Sequence, residues 1–146
     1  MLGNRRPGAG TPSTYGLMLF LQREETMQTI ISSAGALTAV ERIQANLEAS
    51  TIVLFMKGSP DFPQCGFSAR VANALRACGA AFTHVDVLED PELRQTLKAY
   101  SNWPTIPQLY IAGALVGGCD IVMEMYRSGD LSAAVRQTGA VLTEQR

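Results

Sequence analysis

The chain has 146 residues, 47% of them hydrophobic, and a formal net charge of −1. That length holds one ordinary domain with a sizeable core, and the near-neutral charge gives no electrostatic case for a nucleic-acid or membrane partner. Three cysteines, an odd number without framework spacing, argue against a disulfide-stapled secreted domain and for a reducing compartment.

Residues 1–16 are rich in Gly, Pro, Ser and Thr and carry Arg5 and Arg6 without an acid. The apolar run Leu17–Leu21 is far shorter than a membrane span. No small-residue cleavage site follows it, which argues against a secretory signal. An Arg-bearing, acid-poor opening suits a mitochondrial matrix targeting segment. The reading favours an upstream start codon, with Met27 as the natural beginning, or simple disorder. Residues 1–35 are therefore expected to be a variable or disordered extension, and the protein to be cytoplasmic.

Val40, Ile43 and Leu47 recur at helical spacing and predict an amphipathic helix between Leu37 and Ala49. Ile52–Met56 is apolar without alternation, as a strand covered on both faces would be. Gly58, Pro60 and Pro63 then force a loop, and Phe67, Val71 and Leu75 begin a helix near Gly66 that reaches Cys78 and stops at Gly79. Cys65 sits where that helix starts, near unpaired N–H groups, with Lys57 at the other mouth of the loop. Both features favour a thiolate.

Phe82–Val87 alternates and predicts a second strand, parallel to the first through a right-handed crossover. Asp90-Pro91 opens a helix with Leu93 and Leu97 turned to the core. Arg94 lies on another face, as does Lys98, which is read as a solvated charge. Pro104 and Pro107 bracket Thr105-Ile106. Gln108–Ile111 and Ala114–Val116 form a hairpin about Ala112-Gly113. Asp120 is expected to cap a helix from Ile121 to about Arg127, and Gly129-Asp130 to start a last one ending near Thr138. This order is the one that an α/β, thioredoxin-like fold requires, with a four-stranded mixed sheet flanked by helices.

Cys-Gly-Phe-Ser at 65–68, preceded by Met-Lys-Gly-Ser-Pro at 56–60, resembles the signature of the monothiol glutaredoxins. Trp-Pro-Thr-Ile-Pro-Gln-Leu-Tyr at 103–110 and Gly-Gly-Cys-Asp-Ile at 117–121 resemble the same family. The resemblance covers residues 36–140, leaving 141–146 as a tail. Ser68 stands where a resolving thiol would be, so Cys65 cannot cycle through a local Cys-x-x-Cys disulfide. Low oxidoreductase activity is therefore expected.

Lys57, Arg94 and the helix start after Cys119 and Asp120 suit a tripeptide thiol with two carboxylates, glutathione. The resemblance implies Lys57 and Arg94 on its glycine carboxylate, and Gly118, Cys119 and Asp120 around its γ-glutamyl end. It also implies Thr105 and Ile106 beside its cysteinyl unit, with Pro107 as the cis-proline that exposes the Ile106 backbone. Cys78, at a helix C-terminus, reads as an apolar filler. Cys119, just before a helix, either carries an activated thiol or only shapes its loop, and the resemblance implies that it lies near Cys65 and sometimes pairs with it. Trp103 reads as core or as a wall of the site, and His84 is assigned nothing.

A [2Fe–2S] cluster generally takes four thiolates, and one chain supplies one convincing ligand, Cys65. Two chains and two glutathiones supply four. The resemblance implies a cluster bridging a homodimer, with a BolA-type protein and iron–sulfur acceptor proteins as partners. A zinc site lacks a Cys-x-x-Cys pair. The rival expectations are a reductase of protein–glutathione mixed disulfides acting through Cys65, and an adaptor whose cysteine chemistry is incidental.

Overall fold

The computed structural model describes residues 36–142, and the compact unit that carries the sheet begins at Ala39. Five helices and four strands follow one another: α1 (Ala39–Ala49), β1 (Ile52–Met56), α2 (Gly66–Ala77), β2 (Thr83–Asp86), α3 (Pro91–Ser101), β3 (Gln108–Ile111), β4 (Ala114–Gly117), α4 (Cys119–Ser128) and α5 (Asp130–Thr138). The sheet order is β2-β1-β3-β4. β1 pairs parallel with β2 and antiparallel with β3, and β3 pairs antiparallel with β4. This is the thioredoxin-like arrangement that the element order required.

β1 shows why its sequence lacks alternation: all five residues are buried. Successive side chains point to opposite faces. Ile52, Leu54 and Met56 pack with Val71 and Leu75 of α2, Val122 of α4, and Leu131 and Val135 of α5. Val53 and Phe55 pack on the other face with Ile43 of α1, Leu93 and Leu97 of α3, and Tyr110. The Phe55 and Tyr110 rings meet edge to face at 5.5 Å. Two cores thus clamp one central strand, and the site lies at its carboxyl end.

The predicted second strand ends early. Asp86 turns its carboxylate onto the N–H groups of Gly58 at 2.9 Å and Leu88 at 3.0 Å. Val87–Glu89 then forms one 3₁₀ turn instead of more strand. Val87 is still buried, so its apolar character is real but belongs to the turn. At the other end, Ala80 pairs with Val141 and the Leu142 N–H reaches Gly79 O at 2.8 Å. Backbone pairing therefore continues two residues into the stretch read as tail. The readings for residues 1–35 and 143–146 lie outside the described residues. Among the described residues, no helix is long and apolar enough to cross a membrane.

Candidate functional site

The loop from β1 to α2 is held by its own backbone. The Gln64 N–H donates to Lys57 O at 2.9 Å, and Ser59 and Phe62 exchange backbone hydrogen bonds. Gly58 has φ +88°, and a Cβ there would lie 2.5 Å from Phe62 O and 2.7 Å from Gln64 N. Only glycine lets the loop close this tightly. The closure delivers Cys65 to the N-cap of α2 in extended conformation.

At that position the thiol is half-buried, which by itself opposes ionisation. The N–H groups of Ser68 and Phe67, the Ser68 hydroxyl and the Lys57 charge act the other way and outweigh burial. The net effect lowers the Cys65 pKa, so its thiolate is favoured. Ser68 is wholly buried, and its hydroxyl accepts the Lys57 N–H at 3.1 Å. The residue in place of a second thiol therefore supports the first.

Cys65 opens into a cleft of about 710 Å³. Every site residue named from the sequence lines it: Lys57, Arg94, Thr105, Ile106, Pro107, Gly118, Cys119 and Asp120. The Ile106–Pro107 bond is cis. Arg94 and Lys98 stand one turn apart on α3 and line the cleft with Lys57. Among the described residues none of the three makes an ion pair. The cleft thus carries three cations in its lining. Lys98 faces it rather than bulk solvent, because its spacing from Arg94 puts both on the same side of α3. The surrounding sequence, with charges scattered along the helix, did not reveal that.

The start of α4 also lines the cleft. Its N-cap is Gly118, without a side-chain cap, and the helix begins at Cys119. Asp120 therefore lies within the first turn and does not cap it as expected. Val122 is the first residue whose N–H finds a helical partner, Gly118 O at 3.0 Å. The N–H groups of Cys119, Asp120 and Ile121 are the ones such a terminus leaves for a ligand, and Asp120 supplies a carboxylate beside them. At Cys119 the shift runs the other way from that at Cys65. Burial pushes its pKa up, and the nearby Arg70 guanidinium only partly offsets this.

Trp103 and Phe67 complete the walls. The Trp103 indole lies so close to Gly118 that a Cβ there would sit 3.0 Å from Nε1. Of its two readings the wall is therefore the observed one. Cys78 ends α2, packs against the core beneath and accepts a hydrogen bond from the Ser132 hydroxyl at 3.2 Å. The apolar-filler reading holds. His84 is exposed on the edge strand, away from the cleft.

The profile of the glutaredoxin family matches residues 52–116. Glutaredoxin 4 of Escherichia coli is 52% identical over 103 residues, covering 70% of this chain and 90% of that protein. The chain belongs to the glutaredoxin family. Its Cys-Gly-Phe-Ser motif makes it a monothiol member, and Monothiol glutaredoxin-S17 of Arabidopsis thaliana is 44% identical over 124 residues. That match covers 83% of this chain and 25% of the plant protein. A crystal structure of a buckwheat glutaredoxin–glutathione complex superposes with a TM-score of 0.63 at 26% identity, over 70% of this chain and 92% of that one.

Proposed function

We propose that the cleft binds glutathione, and that Cys65 with the glutathione thiol holds a [2Fe–2S] cluster between two copies of the chain. The observation that carries the reading is the pairing of a thiol of lowered pKa with a cleft lined by Lys57, Arg94, Lys98 and the start of α4. Lys57, Arg94 and Lys98 line the cleft without an ion pair among the described residues, and suit the glycine carboxylate. The α4 N-terminus suits the γ-glutamyl carboxylate, and Asp120 its amine. The Ile106 backbone, between Thr105 and Pro107, suits the cysteinyl unit. The buckwheat relative's complex with glutathione supports the same ligand class.

Among the described residues, no group of three or more His, Cys, Asp or Glu side chains could hold a metal ion. Cys65 is the one thiolate this cleft favours. A cluster of the ordinary four-thiolate kind would therefore draw on a second chain and on external thiols. Bound there, it would be cargo for iron–sulfur acceptor proteins in the cytoplasm, with a BolA-type protein as a further partner. This chain's own part is to present the Cys65 sulfur, orient glutathione and hold the two carboxylates and the amine of the tripeptide.

The lowered Cys65 pKa also favours a second reading, reduction of protein–glutathione mixed disulfides. The Cys65 thiolate attacks the glutathione sulfur, the protein thiolate leaves, and a second glutathione thiolate attacks Cys65–S–SG. Oxidised glutathione departs and the Cys65 thiolate is regenerated. Anaerobic reconstitution with iron and sulfide, with and without glutathione, separates the readings. Visible cluster absorption that requires glutathione supports the carrier. Colourless protein that turns over a glutathionylated substrate supports the reductase.

A further inference from the structure

Two polar side chains among the described residues are wholly buried, Ser68 and Gln108. Ser68 serves Lys57 and Cys65. Gln108 touches neither the thiol nor the cleft. A buried amide is costly unless each of its groups is satisfied, so its partners show what it is for.

Gln108 opens β3 on the face that carries Phe55 and Tyr110. Its Nε2 donates to the Trp103 carbonyl at 3.0 Å and to the Thr105 carbonyl at 3.2 Å. Its Oε1 accepts the Tyr110 hydroxyl at 3.1 Å. Two carbonyl partners on one side fix the orientation of the amide, because only the NH₂ end can serve both. Burial holds the Tyr110 phenol above its ordinary pKa range, so it remains a donor.

The two carbonyls bracket Pro104, in a segment that closes at Pro107. Two prolines remove two backbone donors, so this stretch has little means of fastening itself. The Trp103 N–H is tied back to Ser101 Oγ at 3.1 Å and to Lys98 O at 3.2 Å, which anchors the loop at its start. Beyond Trp103, Gln108 supplies the side-chain grip, from directly behind the wall that Trp103, Thr105 and Ile106 present to the cleft.

We infer that Gln108, braced by Tyr110, is a positioning residue: it sets the affinity of the cleft by fixing its 103–107 wall, without contacting the ligand. The inference rests on the reading that the cleft takes glutathione. The full chain, Gln108→Leu and Tyr110→Phe are titrated with glutathione by calorimetry. Hydrogen exchange across residues 103–107 and the pH profile of Cys65 alkylation are followed in parallel.

Gln108→Leu is expected to raise the glutathione Kd about ten-fold, since of the three hydrogen bonds lost two hold the wall. Exchange should quicken at Trp103, Thr105 and Ile106, while the Cys65 profile stays in place, because β1 and α2 build that environment. Tyr110→Phe, the milder change, should raise Kd about two- to three-fold, and it decides the matter if Gln108→Leu does not fold. Unchanged Kd in the folded variants, with a wild type that binds, overturns the inference. So does a Kd change accompanied by a shifted Cys65 profile and faster exchange throughout the sheet. A wild type that does not bind glutathione sinks the glutathione reading instead. Loop exchange then decides, and exchange at 103–107 unaltered by Gln108→Leu overturns the positioning role.

Discussion

The Ser68 hydroxyl accepts the Lys57 N–H at 3.1 Å, joining the end of the central strand to the first turn of α2. One side chain thereby couples the loop's closure to the environment of Cys65, whose thiolate the same hydroxyl favours. Monothiol character is therefore more than a missing thiol: the serine is a buried structural donor and acceptor.

Ser68→Ala leaves the Lys57 N–H without that partner and removes the hydroxyl beside Cys65. Stability should fall by about 1–3 kcal/mol, the cost of a buried group left unpaired. The pH profile of Cys65 alkylation should move to higher pH. Denaturant melts and rate measurements on the variant check both, and an unmoved profile would remove Ser68 from the thiol's environment.

Among the three thiols, alkylation near neutral pH should be fastest at Cys65. Cys119 should lag, since burial raises its pKa whereas that of Cys65 is lowered. Mass spectrometry of a time course ranks them. Cys119 reacting as fast as Cys65 would show that Arg70 outweighs burial.

Asp90 caps α3 by accepting the Leu93 N–H at 3.0 Å and is gripped by Arg42 of α1, with Nε at 2.8 Å and Nη2 at 3.1 Å. The Arg42 hydrogen bond, ahead of opposing burial, holds the Asp90 carboxyl below its ordinary pKa. The folded pKa lies below the unfolded one. This contribution to stability is present above about pH 4 and is lost as pH falls through the lowered folded value. Asp90→Asn should lower Tm by about 2–4 °C at pH 7 and by less and less toward pH 2. An equal deficit at both pH values would place the effect in the cap alone.

The described residues that form the two buried clusters run from Ile43 to Val135. A chain beginning at Gly35 is expected to keep its Tm within about 2 °C. A larger fall in thermal scans would show that the N-terminal segment stabilises the domain.

The fold was legible because its strongest signals are local. An apolar run of strand length marked β1, and Asp90-Pro91 marked the start of α3 to the residue. The cleft was legible through three motifs that the fold gathers from β1–α2, the 103–107 loop and the start of α4. What stayed hidden depends on tertiary contacts. Asp86 bends the chain after β2 by bonding to Gly58, 28 residues away. Cys119 looked activatable at a helix start, but packing on the core raises its pKa instead. Lys98 carries no mark that separates a cleft cation from a surface one. Gln108 reads as one polar residue in a strand until its partners at Trp103 and Thr105 are seen.

Native mass spectrometry of the reconstituted, coloured protein tests the central claim most directly, because it weighs chains, glutathione and iron together. The account predicts two chains, two glutathiones and one two-iron cluster per particle, and a colourless single chain for Cys65→Ser. A cluster carried by one chain, or one that survives in Cys65→Ser, would contradict it.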